Sequence, residues 1–369
     1  MSGMAIKGSV PVRNFDAVYI ASRVIDNLTH NCKDTDGNIM NFNVCTLGST
    51  GKKKDDEYSG DIDIAVELEF SDNNINAIEN CIRNKICPAF SDNEPQIKVS
   101  AGFHIISFGI NWGGDVVQVD LMFSNDIEYS KFMYHSPDYR NNESNFKGLY
   151  RTNLLIDLAS FVPTNIPDVY NDDHVLTDFW KYTLTYDKGL FLRHKTYKGK
   201  RGLLKNPVTV KEDDKFITND INEIIKFILG ETATFTDTNS FETLIDFVFS
   251  KNYKYDNTVI FNVLKEYLND KRHKDKILDI ISYIDKAIVN WLDDSNKELY
   301  ISCLIESLLK AISRYVFIPA DFYCIQQNRP LPRSVCLYLR TSDNDSCHTS
   351  VCTGVKNKIV TGIFNLVGL

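Results

Sequence analysis

Two stretches of alternating apolar and polar residues predict the strands on which the rest of the interpretation depends. In the first, Ile62 to Val66, apolar side chains follow and alternate with Asp61 and Asp63. In the second, Val116 to Phe123, Asp120 interrupts an apolar run. Because successive side chains of a strand point to opposite faces, Asp61 and Asp63 are predicted to share one face and the isoleucines the other.

Helical spacing flanks these strands. Apolar residues recur at intervals of three and four from Pro11 to Leu28, and Ser71 can cap a second helix. Gln96 to Asn111 is predicted as a strand, and the turn at 112–115 would pair it antiparallel with the strand of Asp120. The order helix, strand, strand, helix, strand, strand predicts a mixed sheet with helices packed on it.

The later part of the chain has a different pattern. A helix is predicted between Asn145 and Pro163, and Asp168 to Lys188 is predicted to be partly helical. Helical spacing with short gaps then runs from Thr218 to Tyr315, which favours a compact bundle. The C-terminal tail shows no clear period. The predicted class is therefore α+β, with a mixed-sheet domain at 1–165 and a mostly helical domain at 166–369.

Composition limits the classes of protein to consider. The chain has no apolar run of about eighteen residues or more, so no membrane span is expected, and Met1 to Val10 lacks the features of a signal peptide. The nine cysteines are scattered without a Cys-x-x-Cys motif, which predicts reduced thiols in a cytoplasmic protein. Cys347 and Cys352 are the one pair that a disulfide could join. The net charge of −8 argues against coating nucleic acid through bulk charge.

A glycine-containing turn precedes the strand with the two aspartates. Asn43 to Leu47 is short, apolar and β-branched, which predicts a buried strand that runs into Gly48-Ser49-Thr50-Gly51. Glycine in such a turn lets backbone N–H groups approach an anion closely. Two neighbouring aspartates repel each other, and their proximity makes sense if a divalent cation lies between them.

The turn Gly48-Ser49, the motif Asp61-Ile62-Asp63 and the later Asp120 together resemble the DNA polymerase β-like nucleotidyltransferase superfamily. The resemblance covers about the first third of the chain. The segment around the turn and the motif is similar to predicted nucleotidyltransferases of phages and large viruses, for which the expected location is the host cytoplasm. The fold implied is a polymerase β-like mixed sheet with packed helices, followed by the mostly helical domain.

The resemblance also implies roles for particular residues. Asp61, Asp63 and Asp120 are expected to be the catalytic carboxylates and to bind Mg²⁺, or Mn²⁺ in its place. Gly48 and Ser49 are expected to hold the triphosphate of an NTP. Lys147 and Arg151 begin the helix after the sheet, about where such enzymes grip nucleotide phosphates, and are expected to contribute to nucleotide binding.

The reaction implied is transfer of a nucleoside monophosphate from an NTP to a hydroxyl group, with release of pyrophosphate. The superfamily includes RNA terminal transferases, cyclic-nucleotide synthases, antibiotic-modifying enzymes and enzymes that modify proteins. An RNA end is the first acceptor to consider, and a small molecule, a nucleotide or a protein side chain follows. A non-catalytic nucleotide-binding module is the alternative from another class, although an idle copy would be free to lose one carboxylate.

A basic segment at 188–211 is the reason for placing RNA first. It contains eight Lys or Arg residues and no Asp or Glu. A polyanion would relieve the repulsion among these charges, and Phe191 and Tyr197 could stack on bases. The other interpretation is a basic hairpin that pairs with the acidic residues 212–214. The candidate nucleic-acid contacts are Arg193, Lys195, Lys198, Lys200 and Arg201.

Several other polar residues have two possible interpretations. The lysines at 52–54 either touch the triphosphate or belong to a solvated loop, in which the acidic residues at 55–57 balance them. His104 is expected to be a satisfied histidine of the core or sheet face. Glu67 and Asp115 are expected to be solvated and not to bind metal. An isolated Asp-x-Asp also occurs in metal-binding glycosyltransferases, but those enzymes would not require the Gly-Ser turn or a third aspartate.

Overall fold

Two larger β-sheets, with helices packed on them, make up the described part of the chain. The computed structural model describes residues 5–50, 52–91, 94–134, 144, 146–170, 176–198 and 208–291. Within these residues the fold mixes α-helices and strands, as the sequence patterns predict. None of the described helices is both long and apolar enough to cross a membrane.

The first part of the chain forms a five-stranded mixed sheet with two helices. The elements, in chain order, are β1 (Val12–Arg13), α1 (Asn14–Asn31), β2 (Val44–Thr46), β3 (Tyr58–Ser59), β4 (Ile62–Glu67), α2 (Asp72–Cys81), β5 (Ile97–Ser100), β6 (Ile105–Trp112) and β7 (Asp115–Ser124). The sheet order is β2-β4-β7-β6-β5; β4 and β7 are parallel, and the other neighbours are antiparallel. Strands β1 and β3 pair separately.

Alternation along β4 explains how this sheet packs. Ile62, Ile64 and Val66 are fully buried and share a hydrophobic core with the inner face of α1. Ser71 accepts a hydrogen bond from the backbone N–H of Asn74 and caps α2, as predicted. After α2 the chain continues through a π-helical turn at Ile82–Ile86 and a 3₁₀ turn at Cys87–Phe90. The opposite face of β4 remains available for the aspartates.

A disulfide joins Cys32 to Cys81, between the ends of α1 and α2. The expectation of reduced thiols is therefore wrong for this pair. Its two cysteines are far apart in the chain, so their spacing gives no sign that packing α1 against α2 brings them together. Disulfides are more usual in oxidising compartments than in the cytoplasm. Cys347 and Cys352 lie outside the described residues.

Between residues 127 and 291 the described part of the chain contains two helices, then a four-stranded antiparallel sheet, then four helices. Its elements are α3 (Ile127–Tyr134), α4 (Gly148–Ser160), β8 (Val169–Tyr170), β9 (Leu176–Thr185), β10 (Gly189–Lys198), β11 (Val208–Thr218), α5 (Ile221–Leu229), α6 (Phe241–Val248), α7 (Asn257–Asn269) and α8 (Ile277–Trp291). The strand order is β11-β10-β9-β8. Shorter 3₁₀ turns lie at Ala101–Phe103, Phe235–Thr238 and Lys271–Lys276.

This second sheet corrects the prediction of a mostly helical region after residue 166. Residues 176–185, which belong to a segment predicted to be partly helical, are the strand β9, and β10 and β11 are strands of ten and eleven residues. Polar and aromatic residues occur on both faces of these strands, which hides the period of two. The described residues from 221 to 291 are largely helical, as predicted.

The hydrophobic packing changes between Phe123 and Tyr129. Up to Phe123 the buried side chains belong to the core of the first sheet, whereas Tyr129 and Leu154 pack with apolar residues of α5 to α8. Helix α4 therefore packs with the second part of the chain, whereas α3 packs on both parts, because its Ile127 and Tyr134 also contact Ala65 and Met122 of the first sheet. The division at residue 165, which assigns both helices to the first domain, stays a prediction.

Candidate metal and nucleotide site

Three aspartates meet on one face of the first sheet. Asp63 on β4 and Asp120 on the parallel neighbour β7 are direct partners in the register, and Asp61 immediately precedes β4. One carboxylate oxygen from each of the three lies within 4.8 Å of the others. Asp120 is only 3% exposed. The structure thus brings together the three carboxylates that the sequence singled out.

Burial and mutual repulsion disfavour negative charge in this cluster. Burial raises the pKa of Asp63 well above its usual range, and the carboxylates of Asp61 and Asp120 raise it further. Burial also raises the pKa of Asp120, although hydrogen bonds from Ser107 and Gln118 oppose the shift. A cation bound among the carboxylates would reverse this preference, because it stabilises their charged forms.

The donor set fits a hard divalent cation. All three candidate ligands are carboxylate oxygens, which Mg²⁺ and Mn²⁺ prefer. The Oδ1 atom of Asp63 is buried and has no hydrogen-bond partner among the described residues. Buried carboxylate oxygens normally have a partner, and a bound cation would supply one here.

The glycine turn lies directly against Asp63. The backbone N–H of Leu47 donates to the carbonyl of Asp63 at 2.8 Å, which fixes the start of the turn. Gly48 has a φ of +64°, and a Cβ at this position would lie 2.4 Å from the Oδ2 atom of Asp63. Glycine is therefore required both for the backbone conformation and for the close approach of the carboxylate.

Two hydroxyl groups extend this turn. The Oγ atom of Ser49 lies 3.2 Å from the Oγ atom of the fully buried Ser59. Thr50 is buried, and its Oγ1 atom finds no hydrogen-bond partner within the described ranges. The turn beside the carboxylates thus contains a buried polar atom that a bound ligand would satisfy.

Two lysines of the loop after the turn are less exposed than a solvated loop predicts. Lys52 is 8% exposed, and the Nζ atom of Lys53 donates to the carbonyl of Tyr58 at 2.6 Å. The fully buried Asn14 donates its side-chain N–H to the carbonyl of Lys53 at 2.8 Å. Lys54 is exposed, which agrees with the interpretation of a solvated loop.

The pKa of Lys53 is sensitive to the charges of Lys147 and Asp61. Burial lowers the pKa of Lys53, and the ammonium group of Lys147 lowers it further, whereas the carboxylate of Asp61 raises it. Lys147 is exposed and immediately precedes α4. A cation pair beside the carboxylates and the turn is suited to an anionic group with several charges, such as a polyphosphate.

Arg151 does not lie where the sequence placed it. Its guanidinium is buried and donates to the carbonyls of Thr238 and Phe132, each at 2.6 Å. It also stacks over the ring of Phe132 at 4.3 Å, and burial lowers its pKa to about 10. The side chain connects α4 with α3 and with the 3₁₀ turn before α6, so the structure gives Arg151 buried structural partners and does not bring it to the three carboxylates.

The basic segment pairs with acidic residues of the neighbouring strand. Along β10 and β11, Arg193 is opposite Asp214, His194 opposite Asp213 and Lys195 opposite Glu212. Arg193 forms two hydrogen bonds to Asp214, Nε to Oδ1 and Nη2 to Oδ2, both at 2.7 Å. The structure therefore favours the second interpretation, a basic hairpin balanced by acidic neighbours.

Other candidate contacts in this segment are only partly described. Lys198 ends β10, and Lys200 and Arg201 lie outside the described residues. Phe191 packs against Phe216, with ring centroids 5.4 Å apart. The described part of the segment is thus a paired hairpin in which Phe191 already has an aromatic neighbour.

Three further residues have structural contacts. His104, at a φ of +53°, lies 2.7 Å from Asp187 and stacks on Phe70, so it joins the first sheet to the β9–β10 turn. Glu67 accepts a hydrogen bond from Asn43, and Asp115 is exposed at the start of β7. Glu67 and Asp115 do not belong to the three-carboxylate cluster.

The sequence interpretation missed two residues next to the site, Gln118 and Ser107. Both are buried and hydrogen-bond to Asp120. Gln118 stands two positions before Asp120, and a second polar residue on the same face of an apolar strand is a signal that could have indicated it.

Comparisons of the chain with protein-family models, with curated proteins and with solved structures give no match.

Proposed function

We propose that this protein is a Mg²⁺-dependent nucleotidyltransferase that moves a nucleoside monophosphate from an NTP to a hydroxyl group. The observation that supports the proposal most is the cluster of Asp61, Asp63 and Asp120 on two adjacent parallel strands. The unpartnered Oδ1 atom of Asp63 and the glycine turn packed against the same carboxylate add to it. Carboxylates beside an anion-binding turn are what transfer from a triphosphate requires.

Each residue has a role in this reaction. When bound, divalent cations would neutralise the carboxylates and stabilise charge on the attacking and leaving oxygens. Asp61 and Asp63 would hold the cations, and Asp120 would complete the site and accept the proton of the acceptor hydroxyl. The hydroxyl oxygen forms a bond to the α-phosphorus while the bond from that phosphorus to pyrophosphate breaks. The turn at Gly48 and Ser49, together with Lys53 and Lys147, would orient the triphosphate and the departing pyrophosphate.

The charge pairing within the second sheet affects which acceptor the proposal favours. An RNA end was the first choice because of the unbalanced charge of the basic segment. The pairing of Arg193 with Asp214, and of β10 with a strand that carries three acidic residues, reduces that imbalance for the described residues. This observation favours the second candidate, nucleotidylation of a small molecule, a nucleotide or a protein side chain.

The test is a transfer assay with purified protein, Mg²⁺ and each NTP labelled at the α-phosphate, with and without RNA. The double variant Asp61→Ala/Asp63→Ala should lose transfer. The matched control Asp115→Ala, which removes an exposed carboxylate of β7, should keep it. Label in RNA, in the protein or in a small product identifies the class of acceptor. The proposal fails if no NTP yields product or pyrophosphate and neither Mg²⁺ nor NTP raises the thermal unfolding temperature. A non-catalytic nucleotide-binding module would catalyse no transfer, but NTP would still raise its unfolding temperature.

A further inference from the structure

Gln118 connects Asp120 to the beginning of the chain. Its side chain is fully buried on β7. The Nε2 atom donates to both oxygens of Asp120, each at 3.0 Å, and the Oε1 atom accepts the backbone N–H of Ile6 at 3.0 Å. Because a carboxylate only accepts and a backbone N–H only donates, these partners determine which end of the amide faces Asp120.

Burying the Gln118 amide costs free energy that an apolar side chain would not, so its presence makes sense if the orientation of the Asp120 carboxylate matters. Gln118 and Asp120 stand two positions apart and lie on the same face of β7. A buried amide needs partners for its donors and its acceptor, and an apolar side chain would fill the position without that requirement. Here both hydrogen bonds of the amide nitrogen end on a single carboxylate, which restricts rotation of the carboxylate plane.

The segment that fixes Gln118 lies alongside β7. Val10 donates its backbone N–H to the carbonyl of Val116 at 2.9 Å, and Ser9 forms a parallel bridge with Val116. Ile6 is itself buried at 3% exposure. Residues 6–10 therefore occupy the edge of β7 that precedes its pairing with β4. Their backbone has one donor, the N–H of Ile6, that reaches Gln118.

We propose that Gln118 is a positioning residue, which orients the Asp120 carboxylate for cation binding, and that the N-terminal segment holds Gln118 in place. This inference rests on the proposed cation site but not on the transfer reaction. Hydrogen-bonding partners of metal ligands commonly contribute about 10- to 100-fold to metal affinity. The loss of the Gln118 amide should therefore weaken divalent cation binding while Asp61, Asp63 and Asp120 all remain.

The test measures Mn²⁺ binding to the full chain by electron paramagnetic resonance, without NTP. Gln118→Met keeps the length of the side chain but removes all three hydrogen bonds of the amide, and it should raise the Mn²⁺ dissociation constant about 10- to 100-fold. Ile6→Pro removes the N–H that Gln118 accepts together with part of the buried Ile6 side chain, and it should raise the constant several-fold. Ile6→Ala keeps this N–H while it shortens the same buried side chain, and it should bind Mn²⁺ as the natural chain does.

Thermal unfolding without divalent cations shows that each variant is folded. A merely structural role would lower the unfolding temperature and leave the Mn²⁺ affinity of the folded protein unchanged, and that result overturns the inference. If Gln118→Met does not fold, Ile6→Pro measured against Ile6→Ala decides. Absence of Mn²⁺ binding by the natural chain overturns both the cation site and this inference. Mn²⁺ binding that responds to these variants without any nucleotidyl transfer supports the inference and contradicts the reaction.

Discussion

The two sheets differ in the charges that meet on neighbouring strands. On the first sheet Asp63 stands beside Asp120 with Asp61 close by, so like charges meet on adjacent strands. On the second sheet Arg193 meets Asp214 in a two-pronged hydrogen-bonded pair, and opposite charges face each other along β10 and β11. Like charges side by side reduce stability, whereas opposite charges in register on neighbouring strands contribute to it.

This difference separates a candidate site from a structural surface. Buried carboxylates that disfavour each other's charge are more common at functional sites than elsewhere. A cluster that is already neutralised within the protein has less need of an external partner. The comparison therefore supports cation binding on the first sheet, and it weakens the expectation of a polyanion on the second sheet. Four experiments test the comparison, in decreasing order of expected effect.

Asp63→Asn, on the first sheet, should lower the transfer activity and raise the stability. Transfer should fall on the order of 10²- to 10³-fold, because one cation ligand loses its charge. Without divalent cations the variant should be about 1–3 kcal/mol more stable, because burial and two neighbouring carboxylates raise the pKa of Asp63 and make its ionised form costly at neutral pH. Urea unfolding measures the second effect, and Asp115→Asn is the control. Equal stability of Asp63→Asn and the natural chain would remove the evidence for repulsion.

Gly48→Ala tests how closely the turn approaches the carboxylates. The added Cβ would lie 2.4 Å from the Oδ2 atom of Asp63, in a backbone conformation that favours glycine. The variant should lose about 2–4 kcal/mol of stability from strain and displacement of the side chain, and it should transfer poorly. Gly60→Ala is the matched control, since a Cβ at Gly60 meets nothing within 4 Å. A Gly48→Ala protein as stable as Gly60→Ala would show that the turn lies farther from Asp63.

Asp157 on α4 is an exception to charge balance in the second part of the chain. Burial, with a further contribution from Asp270, raises its pKa to about 7. Between about pH 4 and 7 the folded protein keeps a proton that the unfolded chain has released, so stability should fall as pH rises through this window. Asp157→Asn should remove that decline and be roughly 1–2 kcal/mol more stable at pH 8. Unfolding curves at several pH values measure the slope; identical slopes in both proteins would contradict the shift.

The pair Arg193–Asp214 should show the smallest effect. A double-mutant cycle with Arg193→Ala and Asp214→Ala should give a coupling of about 0.5–1 kcal/mol, because both side chains are partly exposed. Neither variant should change transfer to a small acceptor. Lys226→Ala, which removes a more exposed cation 4.0 Å from Glu231, is the comparison variant. A loss of RNA affinity in Arg193→Ala, with a shallower dependence on salt, would restore the nucleic-acid interpretation.

The first sheet was predictable because its signals are local. Asp61 and Asp63 alternate with isoleucines, Asp120 interrupts an apolar run, and Gly48 follows a short strand. Each of these patterns depends only on neighbours in the chain, and together with the resemblance to a known family they indicated which three carboxylates to examine. The structure then showed that Asp63 and Asp120 are neighbours across two strands.

Other features depend on tertiary contacts that no local pattern records. Arg151 begins a helix like a solvent-facing cation, but α4 is buried around most of its circumference and the guanidinium meets backbone carbonyls. The strands β9 to β11 carry polar residues on both faces, so their period was hidden. The disulfide between Cys32 and Cys81 depends on the packing of α1 on α2. The role proposed for Gln118 depends on a contact with Ile6, which lies 112 positions away in the sequence.

The parallel pairing of β4 with β7 also has a consequence for the order in which the protein folds. Helix α2 and the strands β5 and β6 come between them in the chain, so Asp63 meets Asp120 only after a long loop has closed. Closing such a loop costs entropy before its contacts contribute, and the repulsion between the two carboxylates opposes the same step. We therefore expect the three carboxylates to come together late in folding, and a nascent chain that ends before Val116 contains Asp61 and Asp63 without Asp120.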